Sequence, residues 1–153
     1  MHYEALHLEF TGPIAIITLN RPDMLNALNR ALTLEFHSAI EEVRSQFPDV
    51  RALIITGSGR GFCSGADLTE MGKSLSTNEK GTSNQGKSRL DKTFRIQSLA
   101  IRLRQLPQPT IAAINGPAVG AGLSIALASE IRIASEKARF SCIFVKRSLA
   151  PDT

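Results

Sequence analysis

The succession of short apolar runs, helical spacings and glycine turns predicts an α/β fold. Three observations carry that expectation. Runs rich in β-branched and other apolar residues recur at Ala5 to Phe10, Ile14 to Leu19, Val50 to Ile55 and Thr110 to Ile114. Stretches with apolar residues at helical intervals lie between the later runs. A glycine-rich turn follows each of the two inner runs, as expected where a strand hands over to a helix.

The first two runs are separated by Thr11-Gly12-Pro13, which predicts a hairpin. Asn20-Arg21-Pro22-Asp23 is turn chemistry, and Asn26 or Asn29 can cap the helix that follows. From Leu28, apolar side chains at Leu32, Phe36, Ile40 and Val43 share one helical face, and Phe47-Pro48-Asp49 ends it. Val50 to Ile55 is apolar apart from Arg51, the pattern of a strand buried on both faces. Gly57, Gly59, Gly61 and Gly65 then mark a loop, and 67–71 a short helix. The polar stretch from Gly72 to Lys92 reads as a mobile surface loop. Phe94 to Leu106 reads as a helix stopped by Pro107 and Pro109. Thr110 to Ile114 closes on Asn115-Gly116-Pro117, and Gly120-Ala121-Gly122 opens a small-residue helix over Leu123 to Ser129. Ile131 to Ala134 and Ala138 to Phe140 complete the strands. The whole chain, 1–153, reads as one core domain. No helix follows to cover the last strands, so a missing C-terminal helical region is expected.

Composition narrows the function. Hydrophobic residues make up 42% and charged residues 21%, ordinary values for a globular domain. The net charge of +4 is dispersed, tryptophan is absent and Tyr3 is the single tyrosine, so stacking platforms for nucleic acid are not expected. The N-terminus shows no secretory pattern and no apolar run reaches membrane-spanning length, which predicts a cytoplasmic protein. Cys63 and Cys142 have no metal-ligand spacing and read as structural thiols. His2, His7 and His37 are scattered, so no metal site is expected.

One motif match misleads. Residues Gly81 to Ser88 satisfy GxxxxGK[ST], but the polar stretch from Lys73 to Lys80 cannot be the buried strand that a phosphate loop requires. The glycine turns at Gly57–Gly65 and Gly116–Gly122 are more informative. Two strand-to-helix turns can aim backbone N–H groups at one point and stabilise an oxyanion there, with helix dipoles adding to the effect.

These turns also carry a resemblance. Gly59-Arg60-Gly61-Phe62-Cys63-Ser64-Gly65-Ala66-Asp67-Leu68 resembles the GxxFxxGADL segment of the crotonase (enoyl-CoA hydratase/isomerase) family. Ala112 to Gly122 resembles its AAVNGxAxGGG turn, Leu19 to Leu28 its LNRPxxxNAL opening, and Ala134 to Phe140 its AxxxARF strand. The resemblance implies a spiral of ββα turns that binds acyl-CoA thioesters, with coenzyme A carried by the substrate and no separate cofactor. It implies that the N–H groups of Ser64 and Ala121 hold the thioester oxygen. Ser64, Gly65, Ala66, Asp67 and Leu68 would line the CoA and thioester site, with Met24 and Leu25 beside the pantetheine or adenine. It also implies a homo-oligomer, a trimer or dimer of trimers, for chains of the family's usual length.

Two glutamates serve hydratases of this family, and Ser124 and Phe144 stand at their positions here. Neither is an acid or base near neutral pH. Phe144 to Asp152 resembles the FxKxGLxPD stretch of family isomerases, which implies Asp152 as the group that moves a proton between substrate carbons. Double-bond isomerisation is therefore the leading expectation. A hydratase of the same family, and an acyl-CoA-binding homologue without turnover, are the alternatives.

Overall fold

The computed structural model describes residues 2–70 and 96–144. The expected surface loop at 72–92, the GxxxxGK[ST] match and Asp152 lie outside the described residues. β1 (Leu6–Thr11) and β2 (Ile14–Leu19) form the predicted antiparallel hairpin, with Leu6 opposite Leu19 and Thr11 opposite Ile14. β3 (Ala52–Gly57) runs parallel to β2, β4 (Thr110–Ile114) parallel to β3, and β6 (Ile131–Ala134) parallel to β4. The sheet order is β1-β2-β3-β4-β6. A second, two-stranded sheet pairs β5 (Ala118–Val119) with β7 (Phe140–Ser141).

Helix α1 (Arg30–Ser45) starts where Asn29 Oδ1 accepts the Leu32 N–H at 2.9 Å, so Asn29 is the cap and Asn26 is free for another task. Leu32, Phe36, Ile40 and Val43 form the predicted apolar face, which packs against β1 and β2 and is fully buried. Each such side chain contributes about 1.5–3 kcal/mol through its removal from water. Helix α2, described over 96–104, adds Leu99 and Leu103 to the same core. Gln108, between the two helix-stopping prolines, donates to the Val43 carbonyl at 2.7 Å and ties the exit of α2 to the last turn of α1.

Three boundaries differ from expectation. β3 begins at Ala52, because Val50 N–H bonds Gln46 O in the preceding turn and the Arg51 N–H bonds Pro13 O. Leu53 and Ile55 are fully buried while Ala52 and Ile54 are half-buried, so β3 alternates rather than burying both faces. Helix α3 (Ala121–Ala128) begins two residues before the predicted start, directly after Gly120 at φ 53°. β5 had no sequence signal. It forms because Ala118 and Gly120 N–H groups reach Arg139 and Ser141 carbonyls at 2.8 and 3.0 Å, which also moves the last strand to Phe140–Ser141.

The consequence for function is spatial. The segments after β2, β3 and β4 all leave the same end of a parallel array, where ligand sites of α/β folds form.

Candidate active site

Three loops meet there: 20–29 after β2, 58–67 after β3, and 115–120 after β4. The middle one is held on both flanks. On one side Ser64 N–H donates to Leu25 O at 3.0 Å, Leu28 N–H to Gly65 O at 2.7 Å, and Asp67 N–H to Leu28 O at 3.1 Å. On the other, Phe62 and Cys63 N–H groups both donate to Pro117 O at 3.1 Å, and Val119 N–H to Cys63 O at 2.9 Å. Loop 61–67 is thus a short extended strip between two backbone templates.

This pairing corrects one expectation from the sequence. The Ser64 N–H is engaged by the Leu25 carbonyl, and its hydroxyl donates to Met24 O at 3.2 Å, so that amide is not open to a ligand. Among the described residues the Ala66 N–H donates to nothing. The Ala121 N–H, at the first position of α3, is also unpaired, as helix-opening amides are. Gly65 links the two. It stands at φ 91°, and a Cβ there would lie 2.8 Å from Val119 O and 3.4 Å from Ala121 N. Only a glycine lets the Ala66 strip approach the mouth of α3 this closely. Gly122 plays the complementary part, since a Cβ on it would collide with the Cys63 backbone.

The remaining expected site residues lie in or next to the loops after β2 and β3. Met24 is exposed at the end of a 3₁₀ turn (Pro22–Met24), and Leu25 is half-buried in left-handed backbone at φ 49°. Leu68 is exposed beyond Asp67. Asp67 is buried. Its carboxylate accepts the Arg21 guanidinium at 3.0 Å, the Thr69 hydroxyl at 2.6 Å and the Thr69 N–H at 3.1 Å. Burial pushes the Asp67 carboxyl up, but the Thr69 and Arg21 hydrogen bonds together outweigh it and hold the group below its ordinary value. Asp67 therefore braces the loop.

Ser124 sits half-buried one turn into α3, its hydroxyl donating to Gly120 O at 3.3 Å, and Phe144 is half-buried. Cys63 is wholly buried within the strip, and burial pushes its thiol up to about 12, so it is no nucleophile near neutral pH. Among the described residues, no cluster of three or more His, Cys, Asp or Glu side chains has metal-binding geometry, and no helix is long and apolar enough to cross a membrane. An open groove of about 620 Å³, lined by His37, Ser38, Glu41 and Glu42 of α1 and Arg102 of α2, shares no residue with the loops above.

The sequence pattern of the enoyl-CoA hydratase/isomerase family matches residues 9–153. The chain belongs to that family. It is 40% identical over 134 residues to a short-chain-enoyl-CoA hydratase of Clostridium acetobutylicum, covering 87% of this chain and 47% of that protein. It is 34% identical over 139 residues to the 1,2-epoxyphenylacetyl-CoA isomerase of Escherichia coli, covering 91% of this chain and 50% of that one. The crystal structure of an enoyl-CoA hydratase from Bacillus anthracis superimposes with a TM-score of 0.82 at 30% identity, over 97% of this chain and 54% of that structure. The fold is thus the crotonase α/β fold, and the chain spans about half the length of the relatives it matches.

Proposed function

We propose that residues 1–153 form one acyl-thioester-binding core of an enoyl-CoA hydratase/isomerase, with the Ala66 and Ala121 N–H groups as its oxyanion donors. The observation that carries this reading is the pair of unpaired backbone amides brought to one point by Gly65. A thioester carbonyl seated between them would gain both hydrogen bonds as negative charge develops on its oxygen during enolate formation. Each donor is worth about 3–4 kcal/mol to such a transition state. The α3 dipole adds to this without any charged side chain. Met24 and Leu25 would flank the pantetheine or adenine, and Ser64, Gly65, Ala66, Asp67 and Leu68 would line the CoA and thioester site, so coenzyme A enters as part of the substrate.

Proton transfer is assigned to Asp152, leaning to double-bond isomerisation, because Ser124 and Phe144 occupy the positions where hydratases of the family carry glutamates. The same family includes the Escherichia coli isomerase named above, which favours this reading. Hydration remains the second reading, favoured by the Clostridium acetobutylicum relative. A binding homologue without turnover is the third. Two substrates separate them: 3-hexenoyl-CoA reports isomerisation and crotonyl-CoA reports hydration. Asp152→Asn should abolish isomerisation and leave acyl-CoA binding intact. Unchanged turnover in that variant removes Asp152 from the mechanism. Assembly as a homo-oligomer and a cytoplasmic location belong to the same proposal, the former read directly by sedimentation.

A further inference from the structure

We propose that Asn26 is a positioning residue that fixes the direction of the Ala66 N–H, and through it the polarisation of the bound thioester. The inference rests on the oxyanion reading above and goes beyond it to a residue that touches no substrate.

Asn26 is wholly buried and stands at φ 56°, directly after Leu25 at φ 49°. Two consecutive left-handed residues other than glycine are costly, about 1–2 kcal/mol each for most side chains. Asparagine is among the few types that tolerate this backbone. Its carboxamide uses both amide hydrogens and one oxygen lone pair. Oδ1 accepts the Arg21 N–H at 2.8 Å, while Nδ2 donates to Ser58 O at 3.0 Å and to Gly61 O at 2.8 Å. The Asn26 N–H returns to Arg21 O at 2.9 Å, closing the 21–26 loop on itself. One buried side chain therefore joins the loop after β2 to both ends of the glycine turn after β3.

The neighbours of Asn26 extend this control to the donor. Leu25 O takes the Ser64 N–H and Leu28 pairs with Gly65 and Asp67, so residues 25–28 bracket Ala66 on both sides. The third loop joins at the same atom. Asn115 Nδ2 reaches Gly61 O at 3.2 Å and Gly59 O at 3.1 Å, while its Oδ1 accepts the Gly57 N–H at 3.2 Å. Gly61 O thus collects an amide from the loop on each flank. Removing the Asn26 amide leaves Gly61 O held from the Asn115 side alone, and on the β2 side the turn and the Ala66 strip keep the backbone pairs made by Leu19, Leu25 and Leu28, so the strip can shift away from α3.

The test uses the full chain, Asn26→Asp, and 2,4-hexadienoyl-CoA as a probe whose absorbance moves to the red when its carbonyl is polarised. Asn26→Asp keeps the size and the acceptor to Arg21 but turns carboxylate lone pairs toward two carbonyls. Circular dichroism establishes that each variant folds. If this one does not, Asn26→Gly, which accepts the left-handed backbone and removes the amide, takes its place. The expected result is a parent with a clear red shift and a variant whose shift falls by about half or more, with its probe Kd within about threefold of the parent. Turnover of crotonyl-CoA or 3-hexenoyl-CoA should fall about tenfold to a hundredfold in kcat with little change in KM. A folded variant with the parent's red shift overturns the inference. So does a variant that loses affinity and shift in proportion, which marks a merely structural role. A parent that binds the probe with no red shift overturns the oxyanion reading itself, and this inference with it.

Discussion

Replacing Gly65 with alanine perturbs the site at its tightest point. Gly65 has φ 91°, and the new Cβ would stand 2.8 Å from Val119 O and 3.4 Å from Ala121 N. The backbone term alone is about 1–3 kcal/mol for a non-glycine residue in this region. The carbonyl contact is closer than side-chain carbons normally approach, so the Ala66 strip must retreat by several tenths of an ångström. Both terms act on the folded state, and we expect Gly65→Ala to lose about 2–4 kcal/mol of stability, seen as a lower midpoint in urea. The larger effect should fall on chemistry. Displacing one donor from an oxyanion costs about a hundredfold to a thousandfold in kcat. Chemical denaturation and steady-state turnover of an enoyl-CoA, measured on the same preparation, separate the two effects. Parent-like turnover in a destabilised Gly65→Ala protein would refute the placement of the donors at Ala66 and Ala121.

Two further outcomes follow from the same residues. Asp67 holds a depressed folded-state pKa, so its contribution is complete above the ordinary carboxylate range near about pH 4 and is lost as pH falls through the folded value. The melting temperature should therefore drop in acid, and Asp67→Asn should lower stability by about 3 kcal/mol at neutral pH while flattening that acid dependence. An unchanged acid profile in Asp67→Asn would show that the Asp67 carboxylate does not set it. The two thiols should differ sharply: Cys142 is exposed and Cys63 is wholly buried with its pKa pushed up to about 12. A thiol reagent at about pH 8 should label Cys142 quickly and Cys63 only on unfolding, so rapid labelling of both would contradict the burial of the 61–67 strip.

The elements of this fold were legible where periodicity is strong. The α1 face from Leu32 to Val43 reads directly, because a 3.6-residue repeat of large apolar side chains has one structural solution. Both glycine turns were legible for a different reason: glycine marks close approach in composition alone. The donor identity was not. Whether Ser64 or Ala66 offers its N–H depends on which amide the Leu25 and Leu28 carbonyls take, a pairing between segments about forty residues apart. Residue type carries none of that information, and the rotation is set by Gly65 at φ 91°. Asn26 was likewise read as a candidate helix cap, whereas its buried amide serves the glycine turn. Its signal was present in outline, since asparagine three residues before a second asparagine leaves one of them without a helix to cap.

The double occupancy of Gly61 O has a kinetic side as well. Its two partners lie 35 and 54 residues away along the chain, so neither contact can form by local collapse. Closing each loop carries an entropic cost of about (3/2)RT ln n that is recovered only when strands β2, β3 and β4 are already aligned. The strip that carries the proposed Ala66 donor therefore depends on contacts that span long stretches of chain. A chain that has collapsed around α1 without completing its parallel strands would hold a hydrophobic core without the proposed site, so ligand recognition there would report on finished topology.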